Sequence, residues 1–453
     1  MLKSATNQAR PQSPPTQQSA PTNAALPPEN SWLRRVGKRP EMMHYNRLIA
    51  LMIILNLAYV GWVTQGTWQI GAVPLSVLSN LVIVNISYAA LLRQQYVVNL
   101  FFKIATSVPT SWPLPIRQFM GKVYHFGGMH VGAVIMGTVW FAAFTTSMTV
   151  HLVNGQPGVS LATAIVTYLI LAILLLMIGF ATPKYRARYH DLFEQTHRFG
   201  GWLALLLFWV QTVLFVHDQG GTLTASLGFW LLLLVTASIA LPWLRLKKVP
   251  VKLERPSSHV TLAHFDYGVT PFAGSSTTVS RSPLTEWHAF ANVISPNEEG
   301  FRLTISRAGD WTGELIDDLP THVWVKGIPT AGVGNIEKLF KRVIWVATGS
   351  GVGPCIPHLL SQEIPSQLVW STRTPRKTYG DDLVDEILAV QPNAMIWDTN
   401  ENGRPDLVQL TYNAYKEFDA EAVIVISNKK LTWQVVYGME SRGIPAYGAI
   451  WDS

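Results

Sequence analysis

The stretch Val343-Ile344-Trp345-Val346-Ala347, followed by Gly349-Ser350-Gly351-Val352-Gly353-Pro354, reads as a strand that breaks into a glycine turn and enters a helix. Glycines at such a turn let backbone N–H groups approach a phosphate or pyrophosphate at the start of the helix. Further strands are expected near 367–371, 394–397 and 422–426, with helical segments between them. Residues 340–453 are therefore expected to form a parallel α/β nucleotide-binding domain.

Upstream, residues 255–335 hold short alternating runs separated by Pro, Gly and Asn, among them Val260–Phe265, Phe301–Ile305 and His322–Val325. That pattern predicts a small antiparallel β domain, a barrel. Before it, apolar runs fall near 46–64, 72–92, 126–150, 160–182, 196–216 and 225–247, each long enough for a hydrocarbon layer of ~30 Å. Residues 45–248 are expected to be a six-span transmembrane helical domain. Residues 1–40, rich in Pro, Gln, Ser, Thr and Ala, are expected to be a disordered cytosolic tail. The fold class is a multidomain membrane protein: a six-helix bundle followed by a β-barrel and a parallel α/β domain.

Composition agrees. The chain has 453 residues, 48% hydrophobic and 14% charged, with net charge +7. The basic residues cluster at the ends of apolar runs (Arg93, Lys103, Arg117 and Lys122; Lys184, Arg186 and Arg188; Arg245, Lys247 and Lys248), and the other three loops carry none. This distribution predicts an integral membrane protein with both termini cytoplasmic and the bilayer, not nucleic acid, as the partner of its charge. The single cysteine, Cys355, excludes an intramolecular disulfide framework and a multi-thiolate zinc site. It is expected to be a packing residue at the helix start.

Six of the twelve histidines belong to the third and fifth spans or their ends: His125, His130 and His151, and His190, His197 and His217. Histidines on two facing helices hold a haem iron from both sides. Equal depth pairs His130 with His197 near the inner side and His151 with His217 near the outer side. His125 and His190 compete for the inner position. Twenty residues from His197 to His217 turn the helix by about 200°, so those two face nearly opposite ways. His151 and His217 are otherwise ordinary interfacial residues.

In the last domain, Ser371 and Arg373 at the end of the second strand suit a 2′-phosphate, which favours NADPH over NADH. Arg376 and Lys377 are the alternatives. Gly403-Arg404-Pro405 reads as a turn before a helix. Trp451, near the end of the sequence, offers a ring for stacking.

Six spans with paired histidines, a Trp287-His288-x-Phe290 β domain and a glycine-rich nucleotide domain together resemble the ferric reductase and NADPH oxidase flavocytochromes. The likeness is nearest to a branch of integral membrane flavoproteins of fungi and bacteria, on Arg93–Asn99, His190–Phe199 and Gly448–Ser453. The resemblance implies a ferredoxin-reductase-like module. It implies that His288, Phe290 and Ala291 match the FAD motif, with Trp311 and Thr312 beside it. Gly349, Gly351, Gly353 and Pro354 match the nucleotide motif, and Gly403, Arg404 and Pro405 the late Gly-Arg-Pro. Ala291 stands where the family has a hydroxyl residue, and Ser427-Asn428 where it has Cys-Gly. The implied cofactors are FAD, NADPH and at least one haem b. The expected function is a membrane oxidoreductase passing electrons from NADPH through FAD to an inner haem on His130 and His197, and on to an unidentified acceptor. The alternative is a non-catalytic membrane sensor or scaffold.

Overall fold

The computed structural model describes residues 24–66, 73–294 and 299–449. Among them, six helices are long and apolar enough to cross a membrane. They are α1 (His44–Val63), α2 (Leu75–Leu92), α5 (Gly127–Val153), α6 (Leu161–Ala181), α7 (His190–Asp218) and α8 (Leu227–Leu244). Between α2 and α5 lie the amphipathic α3 (Gln95–Thr106) and the short α4 (Leu114–Met120).

Small residues set the helix spacing. A Cβ at Gly128 would lie 2.2 Å from the Tyr45 carbonyl oxygen, and one at Gly132 would lie 2.7 Å from Met52 Cβ. These glycines, one turn apart, let α5 lie directly on α1. Polar side chains then join three helices. Asn56 and Asn85 exchange amide hydrogen bonds of 3.1 and 2.7 Å, and the Trp140 indole N–H donates to Asn56 at 2.9 Å. Buried amides need such partners, and this triad satisfies them without water.

The β domain begins earlier than the sequence suggests. β1 (Lys247–Pro250) follows α8 directly, inside the stretch expected to belong to the bundle, because its residues pair antiparallel with β7 (His322–Val325). With β2 (Lys252–Glu254), β3 (Val260–Phe265), β4 (Ser275–Ser280), β5 (His288–Val293), β6 (Phe301–Ser306) and β8 (Thr330–Ala331), the sheet runs β1-β7-β4-β5-β6-β3-β2, with β8 on β4. The two ends of that path are consecutive in the chain, joined through Val251. The sheet therefore curls into a near-barrel held at its seam by a covalent link. Helix α9 (Asp310–Asp318) follows β6.

The last domain is a parallel sheet, β9 (Val343–Thr348), β10 (Ser366–Thr372), β11 (Met395–Asp398), β12 (Ala422–Ile426) and β13 (Ala446–Gly448), in the order β11-β10-β9-β12-β13. Its helices include α10 (Val352–Ser361), α11 (Asp381–Val390), α12 (Leu407–Glu417) and α13 (Lys429–Glu440). Strand β9 is central, and Val343 to Ala347 are fully buried, as an unbroken apolar run requires. The three-residue β13 carries no alternation to betray it, and sequence reading passes over it.

Residues 24–40 differ from the expected disordered tail. Asn30 N–H donates to the Ser441 carbonyl at 2.8 Å, Gln409 Nε2 donates to the Ala24 carbonyl at 2.8 Å, and Trp32–Val36 is a helical turn. This stretch lies on the parallel α/β domain because its backbone finds partners there.

The bundle and the sheets are clasped by the α3–α5 region. Gln95 donates to the Ile328 carbonyl at 2.9 Å, and Asn99 to the Pro329 carbonyl at 3.0 Å. Buried Arg117 grips Glu421 through Nη1 and Nη2 at 2.7 and 3.2 Å and also donates to the carbonyls of Leu339 and Trp112. Lys122 pairs with Glu440 on α13.

Candidate active site

The sheet order reverses between β9 and β12, and the glycine turn Gly349–Gly351 sits at that switch point, where open α/β sheets bind ligands. Trp370 pins the turn by donating to the Gly349 carbonyl at 3.0 Å. Gly349 has φ +50°, with only the Tyr379 hydroxyl, at 3.8 Å, near a prospective Cβ. Gly351 is constrained by packing instead. A Cβ there would fall 2.1 Å from the Ile426 carbonyl oxygen on β12. Gly353 faces the β domain, its prospective Cβ 3.5 Å from the Thr304 carbonyl oxygen of β6. Pro354 is exposed in the first turn of α10, and Cys355 is fully buried with its thiol on the Gly351 carbonyl at 3.3 Å. Burial pushes that thiol pKa well up, so Cys355 is inert packing.

Across the crevice the Thr348 and Ser427 hydroxyls hydrogen-bond, and Asn428 caps α13 through Leu431 N–H at 3.1 Å. The Ser-Asn pair therefore has local structural work of its own.

The candidates for the 2′-phosphate separate clearly. Ser371 is 6% exposed, whereas Arg373 and Lys377 are exposed and make no ion pair among the described residues. Arg376 is committed to Asp381 and Asp385, at 3.1 and 2.6 Å. Gly403, at φ +69°, accepts from Trp397 Nε1 at 2.9 Å, and Asp406 caps α12, while Arg404 stays exposed beside Pro405. Arg373 and Arg404 follow the carboxyl ends of adjacent strands β10 and β11, on the same sheet edge as the glycine turn. Trp451 lies outside the described residues.

In the β domain, His288 and Phe290 share one face of β5, two residues apart. The Trp311 ring covers both, 4.1 Å from His288 at 28° and 6.0 Å from Phe290 at 21°. Glu286 fixes the indole by accepting Trp311 Nε1–H at 2.6 Å. Burial lowers the His288 pKa, against the opposing pull of Glu286 and Glu194. Ala291 continues β5 opposite Ser276 and offers no hydrogen bond from its side chain. Thr312 is a helix cap: its hydroxyl accepts from Ala308 and Gly309 N–H at 2.9 and 3.1 Å. The partly exposed ring wall of His288, Phe290 and Trp311 fits the planar ring of a flavin.

Sequence reading missed the cation beside this wall. Lys326 lies 4.5 and 4.2 Å from the ring centres of Trp243 and Trp287, so α8 and the β domain share one ammonium. Burial first, and Arg198 second, lower its pKa to about 8. Only the tertiary fold brings these residues together.

Of the depth pairs, the inner one, His130 and His197, lies close enough to interact electrostatically. His130 hydrogen-bonds the Ala89 carbonyl through Nδ1 at 2.9 Å. His197 packs on Phe193, with Nδ1 buried and without a hydrogen bond among the described residues. His125 is buried against Tyr124, and His190 is exposed. His217 points outward, its side chain 90% exposed. On that half of the bundle, Phe141 with Phe208 and Phe144 with Phe215 close the space between α5 and α7, at 5.5 and 5.3 Å. The outer pair His151 and His217 is therefore not assembled.

Residues 333–453 match the family described as Adenylate-forming reductase 03009, C-terminal domain. Over 416 residues the chain is 46% identical to Adenylate-forming reductase 03009 and 45% identical to Adenylate-forming reductase 06235, both of Coprinopsis cinerea. Each alignment covers 90% of this chain and 40% of the relative, so the chain spans two fifths of the length of these curated relatives. A ferredoxin–NADP+ reductase from Neisseria gonorrhoeae, solved with bound FAD and NADP, aligns at 11% identity and TM-score 0.37, over 45% of this chain and 98% of that one. A ferredoxin–NADP+ reductase from Plasmodium falciparum aligns with TM-score 0.35 at 11% identity, over 45% of this chain and 95% of that one. The fold described above rests on strand pairings, not on these likenesses.

The relatives correct the expected function. Proteins similar to nine tenths of this chain are named adenylate-forming reductases. That finding overturns both the electron path from NADPH through FAD to a haem on His130 and His197 and the non-catalytic sensor or scaffold reading. Haem b is withdrawn with it.

Proposed function

We propose that this chain is a flavoprotein reductase, with NADPH as its coenzyme and FAD as the relay that passes the electrons on to an acceptor. One observation carries the reading: the start of α10, which follows the glycine turn at the switch point of the parallel sheet, abuts β6 of the domain that bears the His288–Phe290–Trp311 wall. A nucleotide seated on the turn would reach toward that wall. FAD, held there, supplies the capacity to take a hydride from a reduced nicotinamide. The word reductase in the relatives' names supports the same class of reaction.

In this reading the start of α10 binds the pyrophosphate and exposed Arg373 reads the 2′-phosphate. A charge-assisted bond of this kind contributes roughly 1.5–3 kcal/mol, and solvent exposure favours the lower end. Arg373→Ala is expected to lower the NADPH-to-NADH ratio of kcat/KM about tenfold, mainly through KM. Arg376→Ala is expected to leave it unchanged, because Arg376 serves Asp381 and Asp385. Steady-state kinetics with both coenzymes decides the assignment. Purified protein is also expected to show flavin absorption that Trp311→Ala removes. Colourless protein that oxidises no NADPH would reject the reading.

We further propose that the six apolar helices lie in a bilayer, with the sheets on the cytoplasmic side. Outward-facing Leu51, Ile54 and Leu55 on α1, Leu175 and Leu176 on α6, and Leu233 and Leu234 on α8 support this, since water would meet all of them. Membrane fractions washed with alkaline carbonate are expected to retain the protein, and its release into the wash would refute the placement.

A further inference from the structure

At the end of the bundle opposite the two sheets, α2, α5, α7, α8 and the turn between α7 and α8 border an open cavity of about 350 Å³. Its lining includes the rings of Phe141, Phe144, Phe208 and Phe215 together with hydroxyl and amide side chains such as Ser79, Asn80 and Gln219. No Lys, Arg, Asp or Glu lines it. Two polar residues on α7 stand out within it. Gln211 is 5% exposed and Thr212 is 8% exposed, and neither side chain makes a hydrogen bond among the described residues. Both side chains line the cavity, so their polar atoms are open to a partner that enters it, water or ligand.

We propose that this cavity binds a neutral, mainly apolar molecule carrying a carbonyl oxygen, which accepts from the Gln211 amide and the Thr212 hydroxyl while its rings lie among the phenylalanines. The volume falls within the range of small-molecule sites, and aromatic rings lie beside uncharged hydrogen-bonding groups. An anion or cation would be buried without a counter-charge, which excludes charged ligands. The inference is independent of the flavin and nucleotide sites, which lie beyond the other end of the helices.

Benzophenone tests it, being a neutral aromatic ketone that cross-links on illumination. The full chain in lipid nanodiscs is irradiated with benzophenone and mapped by peptide mass spectrometry. Adducts are expected on the peptides bearing Phe141–Phe144 and Phe208–Phe215, and excess fluorenone, a neutral ketone that does the same job without the label being read, is expected to suppress them. The carboxylate analogue 4-benzoylbenzoate is expected to label these peptides far less. Gln211→Leu removes the donor at nearly constant volume and should cut the adduct yield roughly three- to tenfold. Should that variant fail to accumulate, Ala225→Trp, at an exposed position on the rim, plugs the mouth and should cut the yield at least as much. Labelling spread over outward-facing Leu206, Val213 and Leu233 and insensitive to fluorenone overturns the site. So does a yield in either variant equal to that of the parent chain, or equal labelling by 4-benzoylbenzoate.

Discussion

Gly351→Val is expected to unfold the nucleotide domain, and Gly349→Ala is expected to spare the fold while weakening NADPH binding. The two glycines differ in what surrounds them. At Gly351, φ is −60°, an ordinary value for any residue, so no backbone strain follows from a side chain. The obstacle is the Ile426 carbonyl oxygen, 2.1 Å from the new Cβ. That oxygen belongs to the half-buried end of a paired strand and cannot move without disturbing the β9–β12 pairing. Overpacking of this kind costs ~3 kcal/mol or more. At Gly349 the space is open, but φ is +50°, and a side chain there costs about 1–2 kcal/mol. Thermal unfolding should therefore show a large fall for Gly351→Val and a small one for Gly349→Ala. NADPH titration of the folded Gly349→Ala protein should show about tenfold weaker binding. Unchanged affinity there would remove the turn from the nucleotide site. Bulk at Gly351 therefore reports on packing against β12, not on phosphate approach.

Arg117→Ala is expected to release the helical bundle from the nucleotide domain. The guanidinium is buried, while Glu421 keeps 23% of its side chain exposed, so the loss falls near the lower end of the 3–5 kcal/mol typical of a broken buried pair, at about 3 kcal/mol. The Leu339 and Trp112 carbonyls lose their donor in the same step. Arg117→Lys should not restore the clasp, because a single ammonium cannot match two carboxylate oxygens and two carbonyls at once. Hydrogen exchange should rise in residues 107–126 and 333–342 while the core of β9 stays protected. Unchanged protection in those segments would contradict the assignment.

The same clasp sets a pH dependence. Burial pushes the carboxyls of Glu421 and Glu440 up, but Arg117 with the Lys341 N–H at the first, and Lys122 with Lys38 at the second, outweigh it, so both pKa values lie below the usual carboxylate range. Folded-state values below the unfolded one mean that the stabilisation is complete above the unfolded pKa of about 4.3 and fades as pH falls through the lowered values. Exchange protection of residues 107–126 should be flat from neutral pH down to about pH 5 and fall below it. A decline already complete at pH 6 would point to other groups.

Much of the chain was readable from its order of residues. Apolar runs of membrane length became six helices within a few residues of their expected ends, because length and hydropathy are local properties. The β9–turn–α10 unit was equally readable, since a strand, three glycines and a helix start are consecutive. The outward turn of His217 was foreshadowed by helical periodicity, twenty residues on from His197. Less was readable where partners are distant. Arg117 and Glu421 are separated by 304 positions, and Gln95 reaches a carbonyl 233 residues away. Nothing near either residue in the chain marks it as a clasp. Thr312 reads as a site residue until its hydroxyl is seen capping α9.

By itself, then, the sequence determined which segments are apolar helices, which strands alternate, and where the chain must turn on glycine, since each depends on neighbours within a turn or a strand. Tertiary structure alone decided that Arg373 has no ion pair among the described residues while Arg376 is paired, that Lys326 lies against Trp243 and Trp287, and that Gln211 faces a cavity. A side chain's partners, exposure and charge state come from groups brought close by folding, and the chain's linear order does not encode those distances one residue at a time.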